Sequence, residues 1–547
     1  MISPKQIFLS FTARERKVFL AAAFFLVISG AVLTALAWQN ATEAVPARGG
    51  EYTEGMTGQP TYVNPVLASS EADKALTRLL FANLPVLADK IEPDQNGRVW
   101  RVRLKEGLVW SDGRQLTSDD VIFTVQKIQD PETQSPLFGA WQGVAANRMS
   151  ELELQFNLVG PYSFFGENLE TLYVLPKHLY AETPSPNWRL SEYNLKPIGS
   201  GPFAFDFSEK QPNGFITSYH LKENPNYAGG AALLQKFTVR FFSKPEDLLK
   251  AFNGGTVDGF ATLDPEMVGK VDRSYQSISF GLPGYYAVFL NQSQNLALKE
   301  TAVRRALSES VDRKKLIDGI FRGKAVAVTG PVPPAFLPAT EPVAPDLDAV
   351  RANLEAAGWK MGENNVREKT VGRSDKIRLE FTLTVPELPF LEQTAEELQS
   401  AWREAGIQAN LERVPADGIV NGAIKNREYQ AVLFGNVMNP PGDLYSFWHS
   451  NERFHPGLNL SLYSGREADR LIENVRRELD AEKRLADLRE LQEAISSDFP
   501  AVFLYSPDYQ MLANKELRGV SSGLIADLAD RFRKAGEWHL RTARALK

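Results

Sequence analysis

Residues 99–126 restrict the fold more than any other stretch of the chain. Apolar residues alternate with arginines from Trp100 to Leu104, which predicts a strand with one apolar and one basic face. Two glycine-containing turns follow, and Thr117 with Asp120 then has the form of a capping box, which predicts the start of a helix. A strand that leads through tight turns into a capped helix indicates an α/β protein.

Strand and helix patterns alternate again further along the chain. Residues 236–242 read as a strand and 245–252 as a helix, and a return into the sheet after this helix would complete a βαβ unit. Between residues 131 and 194, short alternating runs broken by prolines predict a small β-rich subdomain. The order of strand, helix and strand recurs at residues 377–385, 391–405 and 408–414.

Length, charge and cysteine content exclude several classes of protein. A chain of 547 residues is too long for one compact core, so two or three domains are expected. The 61 basic and 67 acidic residues give a net charge of −6, which provides no drive toward nucleic acid. The absence of cysteine excludes disulfides, thiolate metal sites, a cysteine nucleophile and a lipid-modified N-terminal cysteine.

Residues 18–38 form a charge-free apolar run that is long enough, as a helix, to cross a hydrocarbon core of about 30 Å. Arg14, Arg16 and Lys17 precede the run, so the positive-inside rule places residues 1–17 in the cytoplasm and the body outside. A cleaved signal peptide is the alternative, but the run exceeds the usual ~7–15 apolar residues of such peptides. We therefore predict a retained single-pass anchor in the cell membrane, followed by a small, polar linker over residues 39–50.

The segments RLKEG, VWSDG and LTSDDVIFT, in this order within residues 99–126, resemble the signature of a known family. The family is that of the extracytoplasmic solute-binding proteins of ABC importers, in the dipeptide/oligopeptide-binding class, which is solute-binding protein family 5. Residues 197–203, 224–227, 254–258 and 301–313 resemble further segments of the same family, in which the stretch matching 254–258 returns into the sheet. Many relatives are tethered through a lipidated cysteine, and the lack of one here favours a protein anchor.

The resemblance implies a periplasmic-binding-protein-like α/β fold with two lobes and an extra small subdomain. Lobe I is expected over residues 51–75, 196–278 and 502–547, with the β-rich subdomain inserted at 76–195 and lobe II at 279–501. Such a protein closes about a hinge on its ligand and is then recognised by a membrane permease. The resemblance thus implies a monomer that captures peptides and delivers them to an ABC transporter, without nucleic acid and without a cofactor.

Sequence motifs that would indicate catalysis or metal binding are missing. The sequence contains no H-E-x-x-H, P-loop or dinucleotide-binding motif, and its five histidines are scattered. Residues 519–523 match G-x-S-x-G in letters, but no strand pattern leads directly into them, so they do not form a nucleophile elbow. His449 and His455 lack a third ligand at metal-site spacing. We therefore predict neither catalysis nor a metal site. A binding protein for a sugar, a nickel complex or a haem complex is the first alternative, and a membrane-anchored extracytoplasmic hydrolase is the second.

A strand that runs into an aromatic, Pro/Gly-containing loop at residues 433–450 is the stretch most suited to contact a ligand. Loops on a rigid scaffold often carry recognition groups, although aromatic side chains such as Phe447 and Trp448 could equally pack on their own lobe. The candidate ligand-binding residues are Asn436, Asn439, Asp443 and Tyr445 of this stretch and Tyr286 of an earlier predicted strand.

One departure from the family concerns the amine of a peptide ligand. The resemblance implies a tryptophan where this chain has Asn436 and an aspartate, which meets the α-amine, where it has Asn439. Asn439 cannot ionise, and an amine buried without a partner is costly. Asp443 is the nearest carboxylate, and we expect it to take over this role.

Overall fold

The structure is a computed structural model that describes residues 10–338, 341–372, 375–416 and 418–546. Residues 1–9 of the predicted cytoplasmic segment lie outside the described residues. Five sheets are formed within the described chain, and the two largest define two lobes.

A long helix, Ala13–Ala41, contains the predicted membrane span and extends it at both ends. The helix begins with a capping box in which Thr12 accepts a hydrogen bond from the Glu15 amide and Glu15 accepts one from the Thr12 amide. None of its residues is buried. Within the described part of the chain, it is the one helix whose length and composition suit a membrane span.

Residues 39–50 form an ordered connection, which corrects the predicted linker. The helix continues to Ala41, and Thr42–Ala47 is a strand that pairs antiparallel with the C-terminal strand Arg541–Leu546. The Thr42 hydroxyl donates a hydrogen bond of 2.6 Å to the carbonyl of Trp38, so helix and strand meet without a break. We call these two strands the terminal ribbon. Local sequence patterns do not reveal it, because its two halves lie at opposite ends of the chain.

Lobe I is built on an eight-stranded sheet. Its central strand Glu51–Thr57 is parallel to a neighbour on each side, Lys236–Phe242 and Gly259–Thr262, and helix Pro245–Asn253 connects those two neighbours. This arrangement confirms the predicted βαβ unit, although the returning strand begins at Gly259. The strand order is Gly523–Leu524, Gln276–Gly281, Tyr509–Ala513, Gly259–Thr262, Glu51–Thr57, Lys236–Phe242, Ile216–Glu223 and Phe203–Lys210.

The small subdomain carries a four-stranded antiparallel sheet and the capped helix of the opening motif. Helix Ser118–Ile128 begins as predicted, with the Thr117 amide donating to the Asp120 carboxylate at 2.9 Å. Subdomain residues share one continuous hydrophobic core with lobe I, so we expect the two to move together. The strand order is Ala88–Pro93, Val99–Leu104, Glu153–Asn157 and Ala145–Arg148, and helix Glu71–Leu80 lies in the same shared core.

Lobe II is built on a six-stranded sheet with a hydrophobic core on each face. Alternate residues of a strand enter different cores, as Val288 and Phe289 do. The strand order is Ala325–Ala327, Ala501–Pro507, Gly284–Leu290, Ala431–Val437, Glu380–Pro386 and Gln408–Val414. Its longer helices are Thr301–Glu309, Arg313–Phe321, Leu347–Ala356, Pro389–Glu404, Arg466–Arg477 and Ala481–Ser496, and strands Lys360–Met361, Arg367–Val371 and Asp375–Arg378 form a small separate sheet.

The chain crosses between the two large sheets at two places. It leaves lobe I after Gln276–Gly281 and enters lobe II at Gly284–Leu290. It returns after Ala501–Pro507 and rejoins lobe I at Tyr509–Ala513. The two-lobed α/β fold is confirmed, but strand Ala501–Pro507 belongs to the lobe II sheet, whereas the sequence-based boundaries place residues 502–507 in lobe I.

Candidate ligand-binding site

A cavity of about 390 Å³ lies where the two lobes meet, beside both crossovers. Lobe II contributes most of its wall, and lobe I contributes Leu263 and residues 526–528. The lining is largely apolar. Its described members are Leu263, Leu282, Gly284, Tyr285, Tyr286, Pro386, Leu388, Leu391, Ala416, Ile419, Phe434, Gly435, Asn436, Val437, Ser506, Pro507, Ala526, Asp527 and Leu528.

Two adjacent strands of lobe II place the aromatic part of this wall. Tyr285 pairs with Asn436 and Tyr286 with Gly435 in the antiparallel register. A Cβ atom on Gly435 would lie only 2.7 Å from the Tyr286 ring, so glycine at this position makes room for the tyrosine. Glycine at position 435 of one strand therefore allows the Tyr286 ring of the neighbouring strand to occupy its place in the cavity wall.

Polar groups in this wall are few and mostly buried. Burial raises the pKa of Tyr286 to about 12, so its hydroxyl is neutral at physiological pH. The Tyr285 hydroxyl accepts a hydrogen bond of 2.9 Å from the Trp448 indole. Asn436 is only 3% exposed, and its amide nitrogen makes no hydrogen bond of ordinary geometry within the described chain. A buried amide group without a well-formed hydrogen bond is uncommon, and it retains capacity for a hydrogen bond with a ligand or water group.

The lobe I side of the cavity carries a carboxylate, that of Asp527. One of its oxygens accepts from the Ala529 amide at 2.9 Å, and the other lies 2.7 Å from the Lys74 ammonium. Burial acts to raise the pKa of Asp527, but the positive charges of Lys74 and Arg78 outweigh it and hold the pKa below its ordinary value. Asp527 is therefore ionised at neutral pH.

Asp443 and Tyr445 lie outside the interlobe cavity, in a contact between the small subdomain and lobe II. The Tyr162 hydroxyl donates to Asp443 at 2.8 Å, and the Arg476 guanidinium lies 3.1 Å from the same carboxylate oxygen. Arg476 also lies over the Tyr445 ring at 4.4 Å. The Asp443 side chain is only 10% exposed, so its charge is already neutralised within the protein.

The subdomain segment around Tyr162 is fixed on lobe II by further contacts. The Ser163 amide donates to the Arg476 carbonyl at 2.8 Å, and its hydroxyl donates to the Val475 carbonyl at 2.8 Å. The next residue, Phe164, is buried in a core of lobe II. We call the contact formed by Tyr162, Ser163, Asp443 and Arg476 the latch, because it joins the lobe I unit to lobe II.

The structure thus divides the five candidate residues among three places. Tyr286 and Asn436 line the interlobe cavity, whereas Asp443 belongs to the latch and Tyr445 packs against it. Asn439 is exposed and lies in the lining of neither this cavity nor a second one, of about 440 Å³, beside the latch. The aromatic loop residues Phe447 and Trp448 pack into the lobe II core.

Much of the cavity lining is absent from the candidates that the sequence suggests. Leu282, Ser506 and Pro507 line the cavity because the chain crosses between the lobes at these points. Asp527 reaches it from a short turn near the C-terminus. The ends of the two crossing strands are the signal that could have identified the first three residues, since ligands of two-lobed proteins contact the region where both lobes meet.

Two α/β lobes that are connected by two crossovers and enclose a cavity define a two-lobed solute-binding protein. Residues 83–455 match the family model of the bacterial extracellular solute-binding proteins, family 5 middle. The match covers more than half of the chain, and the chain belongs to this family.

Individual relatives and solved structures agree with this assignment. The oligopeptide-binding protein AppA of Bacillus subtilis is 24% identical over 87% of this chain and 89% of its own length. The ABC transporter substrate-binding protein CtaP of Listeria monocytogenes has a structure with a TM-score of 0.77 and 23% identity, covering 90% of this chain and 99% of that one. The structure of B. subtilis AppA with a nonapeptide has a TM-score of 0.70 and 23% identity, covering 91% and 100%. These structures share the two-lobed fold.

Proposed function

We propose that this protein captures peptides between its two lobes outside the cytoplasm and delivers them to the permease of an ABC transporter. The observation that carries the proposal is the cavity at the two crossovers, which is lined by both lobes. A ligand held there contacts both lobes at once and favours the closed arrangement to the extent of those contacts. The closed arrangement is then the form that a permease recognises.

The size and the lining of the cavity suit a short peptide as the ligand. A volume of about 390 Å³ lies at the small end of the range for small-molecule sites, roughly 300–1,000 Å³. Apolar side chains form most of the lining, and the polar groups of Asn436, Ser506 and Asp527 are spaced around it. Such a site accommodates apolar side chains and a few hydrogen-bonding groups. The name of the relative AppA, an oligopeptide-binding protein, points to the same class of ligand.

We further propose that helix Ala13–Ala41 anchors the protein in the membrane with its body on the extracytoplasmic side. The helix contains the charge-free run 18–38 and has no buried residue, so no part of the protein body covers its apolar surface. Its 29 residues would extend about 44 Å, more than the hydrocarbon core requires. N-terminal sequencing of the mature protein tests this proposal, because a mature chain that starts near Trp38 would show a cleaved signal peptide instead.

Mass spectrometry of ligands that co-purify with the full-length protein in detergent tests the peptide proposal. We expect short peptides that are released on denaturation and are absent from a control purification of an unrelated membrane protein. A sugar, a nickel complex or a haem complex in their place would assign the protein to another solute. Conversion of the bound peptide into products during incubation would point to the hydrolase alternative.

A further inference from the structure

The charge distribution of the interlobe cavity is strongly uneven. Among the described lining residues, Asp527 carries the only side chain that is charged at neutral pH. The remaining members are apolar residues, glycines, two tyrosines, Asn436 and Ser506. A single carboxylate in such surroundings marks the place where a positive group of a ligand would be stabilised, because a cation moved from water into an apolar cavity needs an opposite charge.

The Asp527 carboxylate is held in a fixed position by its own lobe. It is the N-cap of the short helical turn Leu528–Phe532, where its side chain accepts from the Ala529 amide at 2.9 Å and, in a capping box, from the Asp530 amide. The Lys74 ammonium pairs with the oxygen that does not contact the Ala529 amide, while the Lys74 side chain remains 33% exposed. A carboxylate has about four lone-pair positions, so these three partners, the Ala529 amide, the Asp530 amide and Lys74, leave acceptor capacity for one further donor.

We propose that Asp527 is the subsite that receives the protonated amine of the ligand. This proposal rests on the proposed function, since the cation concerned is the α-amine of a peptide. Lys74 competes for the same carboxylate, and its partly exposed ammonium can turn toward solvent when the ligand's amine binds. The other two candidates are unsuitable: Asn439 carries no charge, and Asp443 is paired with Arg476 outside the cavity.

The position of Asp527 also gives the ligand a direction. Asp527 belongs to lobe I, while Tyr286 and Asn436 lie on the facing wall in lobe II. A peptide whose amine pairs with Asp527 therefore extends its first residues toward lobe II. Contacts at its two ends then connect the lobes, which is the requirement for a ligand that stabilises closure.

The test uses the full-length protein in detergent and a mixture of random tripeptides, once with free amino termini and once N-acetylated. Peptides retained after gel filtration are identified by mass spectrometry, and the affinity of a retained peptide is measured by titration calorimetry. The variants are Asp527→Asn, Lys74→Met and, as the matched control, Asp264→Asn. Asp264 caps another short helix of lobe I through the Glu266 amide at 2.9 Å but does not line the cavity.

We expect the wild type to retain free-amine peptides and to lose the acetylated ones. Asp527→Asn should weaken binding on the order of a hundredfold, as expected for the loss of one partner of a desolvated charge pair. Asp264→Asn should bind like the wild type. Lys74→Met removes the same ion pair but keeps the carboxylate, so it should bind at least as tightly as the wild type. Comparison of Lys74→Met with Asp527→Asn therefore distinguishes the effect of losing the carboxylate from the effect of losing the ion pair on the stability of the fold.

Equal retention of free and acetylated peptides, or an unchanged affinity in Asp527→Asn, would overturn the amine subsite while leaving peptide binding intact. If neither mixture is retained, the peptide function fails, and phenethylamine and isoamylamine are used as probes without peptide bonds. Binding of these amines that is lost in Asp527→Asn would uphold the subsite for a non-peptide amine. Absence of their binding would overturn the subsite as well.

Discussion

At the scale of single residues, Gly199 leaves the least room for a side chain among the described glycines. A Cβ atom at this position would lie 1.8 Å from the carbonyl oxygen of Leu80, which is backbone and cannot rotate away. The neighbouring Gly201 amide donates to that same carbonyl at 2.8 Å, so the two segments are fixed against each other. Glycine is needed at Gly199 and Gly201 because a side chain at either position would collide with the backbone of residues 79–81.

We predict that Gly199→Ala lowers the free energy of unfolding by about 2–4 kcal/mol, because the added methyl group must displace backbone. Gly139→Ala is the matched control, since a Cβ atom added there would have no neighbour within 4 Å and Gly139 lies in the short helix Phe138–Trp141. Urea unfolding of both variants measures the difference. Equal stability of the two variants would contradict the close contact at Gly199.

Part of the acid dependence of stability should come from the carboxylate of Asp527. Burial acts to raise the pKa of Asp527, but Lys74 and Arg78 outweigh it and the pKa is lowered on folding. Its contribution to stability is therefore present above the ordinary carboxyl pKa and is lost as the pH falls through the lowered, folded value.

Urea unfolding over a series of pH values below neutrality should accordingly show a smaller acid loss of stability in Asp527→Asn than in the wild type. Lys74→Met removes one of the cations that lower the pKa of Asp527, so its loss of stability should begin at a higher pH than in the wild type. The same acid profile in all three proteins would show that this ion pair does not contribute to folding.

Side-chain partners that are distant in sequence limit what can be predicted for single residues. The sequence favours Asp443 as the partner of an amine, but its charge is taken up by Arg476 and by Tyr162, which precedes it by 281 residues. Arg304 and Arg305 are adjacent, yet Arg304 is buried and donates to the Asp498 carbonyl at 2.8 Å, while Arg305 is exposed. A local sequence pattern cannot distinguish a buried charged residue from an exposed one, because burial depends on partners that are distant in sequence.

At the scale of elements, the periodicity of apolar residues predicts the bounds of a helix or strand well where that element packs on its own lobe. The strand Gln408–Val414 has the predicted bounds, and helix Pro389–Glu404 differs from its predicted bounds by two residues at its start and one at its end. The terminal ribbon escapes prediction because Thr42–Ala47 is a short run of mostly small residues and its pairing partner is the C-terminal strand. A two-stranded ribbon is marginal by itself, so each half depends on the other.

We predict that removal of the residues after Leu540 leaves Thr42–Ala47 without its partner and makes this segment accessible. Trypsin should then cleave after Arg48 much faster than in the full-length protein. Hydrogen exchange of the amides in Thr42–Ala47 should rise at the same time. The lobe I strand Glu51–Thr57 serves as an internal control, because its neighbours lie within the same sheet and its exchange should not change. Unchanged cleavage after Arg48 would contradict the pairing.

At the scale of the whole molecule, contacts between residues that do not line the cavity also hold the lobes together. The latch joins the small subdomain to lobe II, and Gln393 of lobe II donates to Glu266 of lobe I at 2.8 Å on another part of the interface. The subdomain shares its core with lobe I, so the latch acts between two units that move as wholes. The alternation of strands and helices predicts an α/β protein and the family resemblance implies two lobes, whereas the latch depends on three-dimensional proximity alone.

We predict that Asp443→Asn shifts the protein toward a more open arrangement, because Arg476 and Tyr162 lose the carboxylate that connects them. A loss of about 1–2 kcal/mol, appropriate for a pair in which the Arg476 side chain is 35% exposed, changes the ratio of closed to open forms by roughly 5- to 30-fold. The chain contains no cysteine, so spin labels can be attached to cysteines introduced at the exposed Lys210 of lobe I and Lys376 of lobe II.

Pulsed electron resonance should then show longer and broader distances between the labels in Asp443→Asn than in the wild type. Glu467→Gln is the matched control, since Glu467 pairs with Arg470 on an exposed face of the same helix that carries Arg476. A ligand bound in the interlobe cavity should restore the shorter distance in Asp443→Asn, because it connects the lobes independently of the latch. Identical distance distributions in both variants and the wild type would show that the latch only supports local packing, and closure would then depend on the ligand contacts and on the two crossovers.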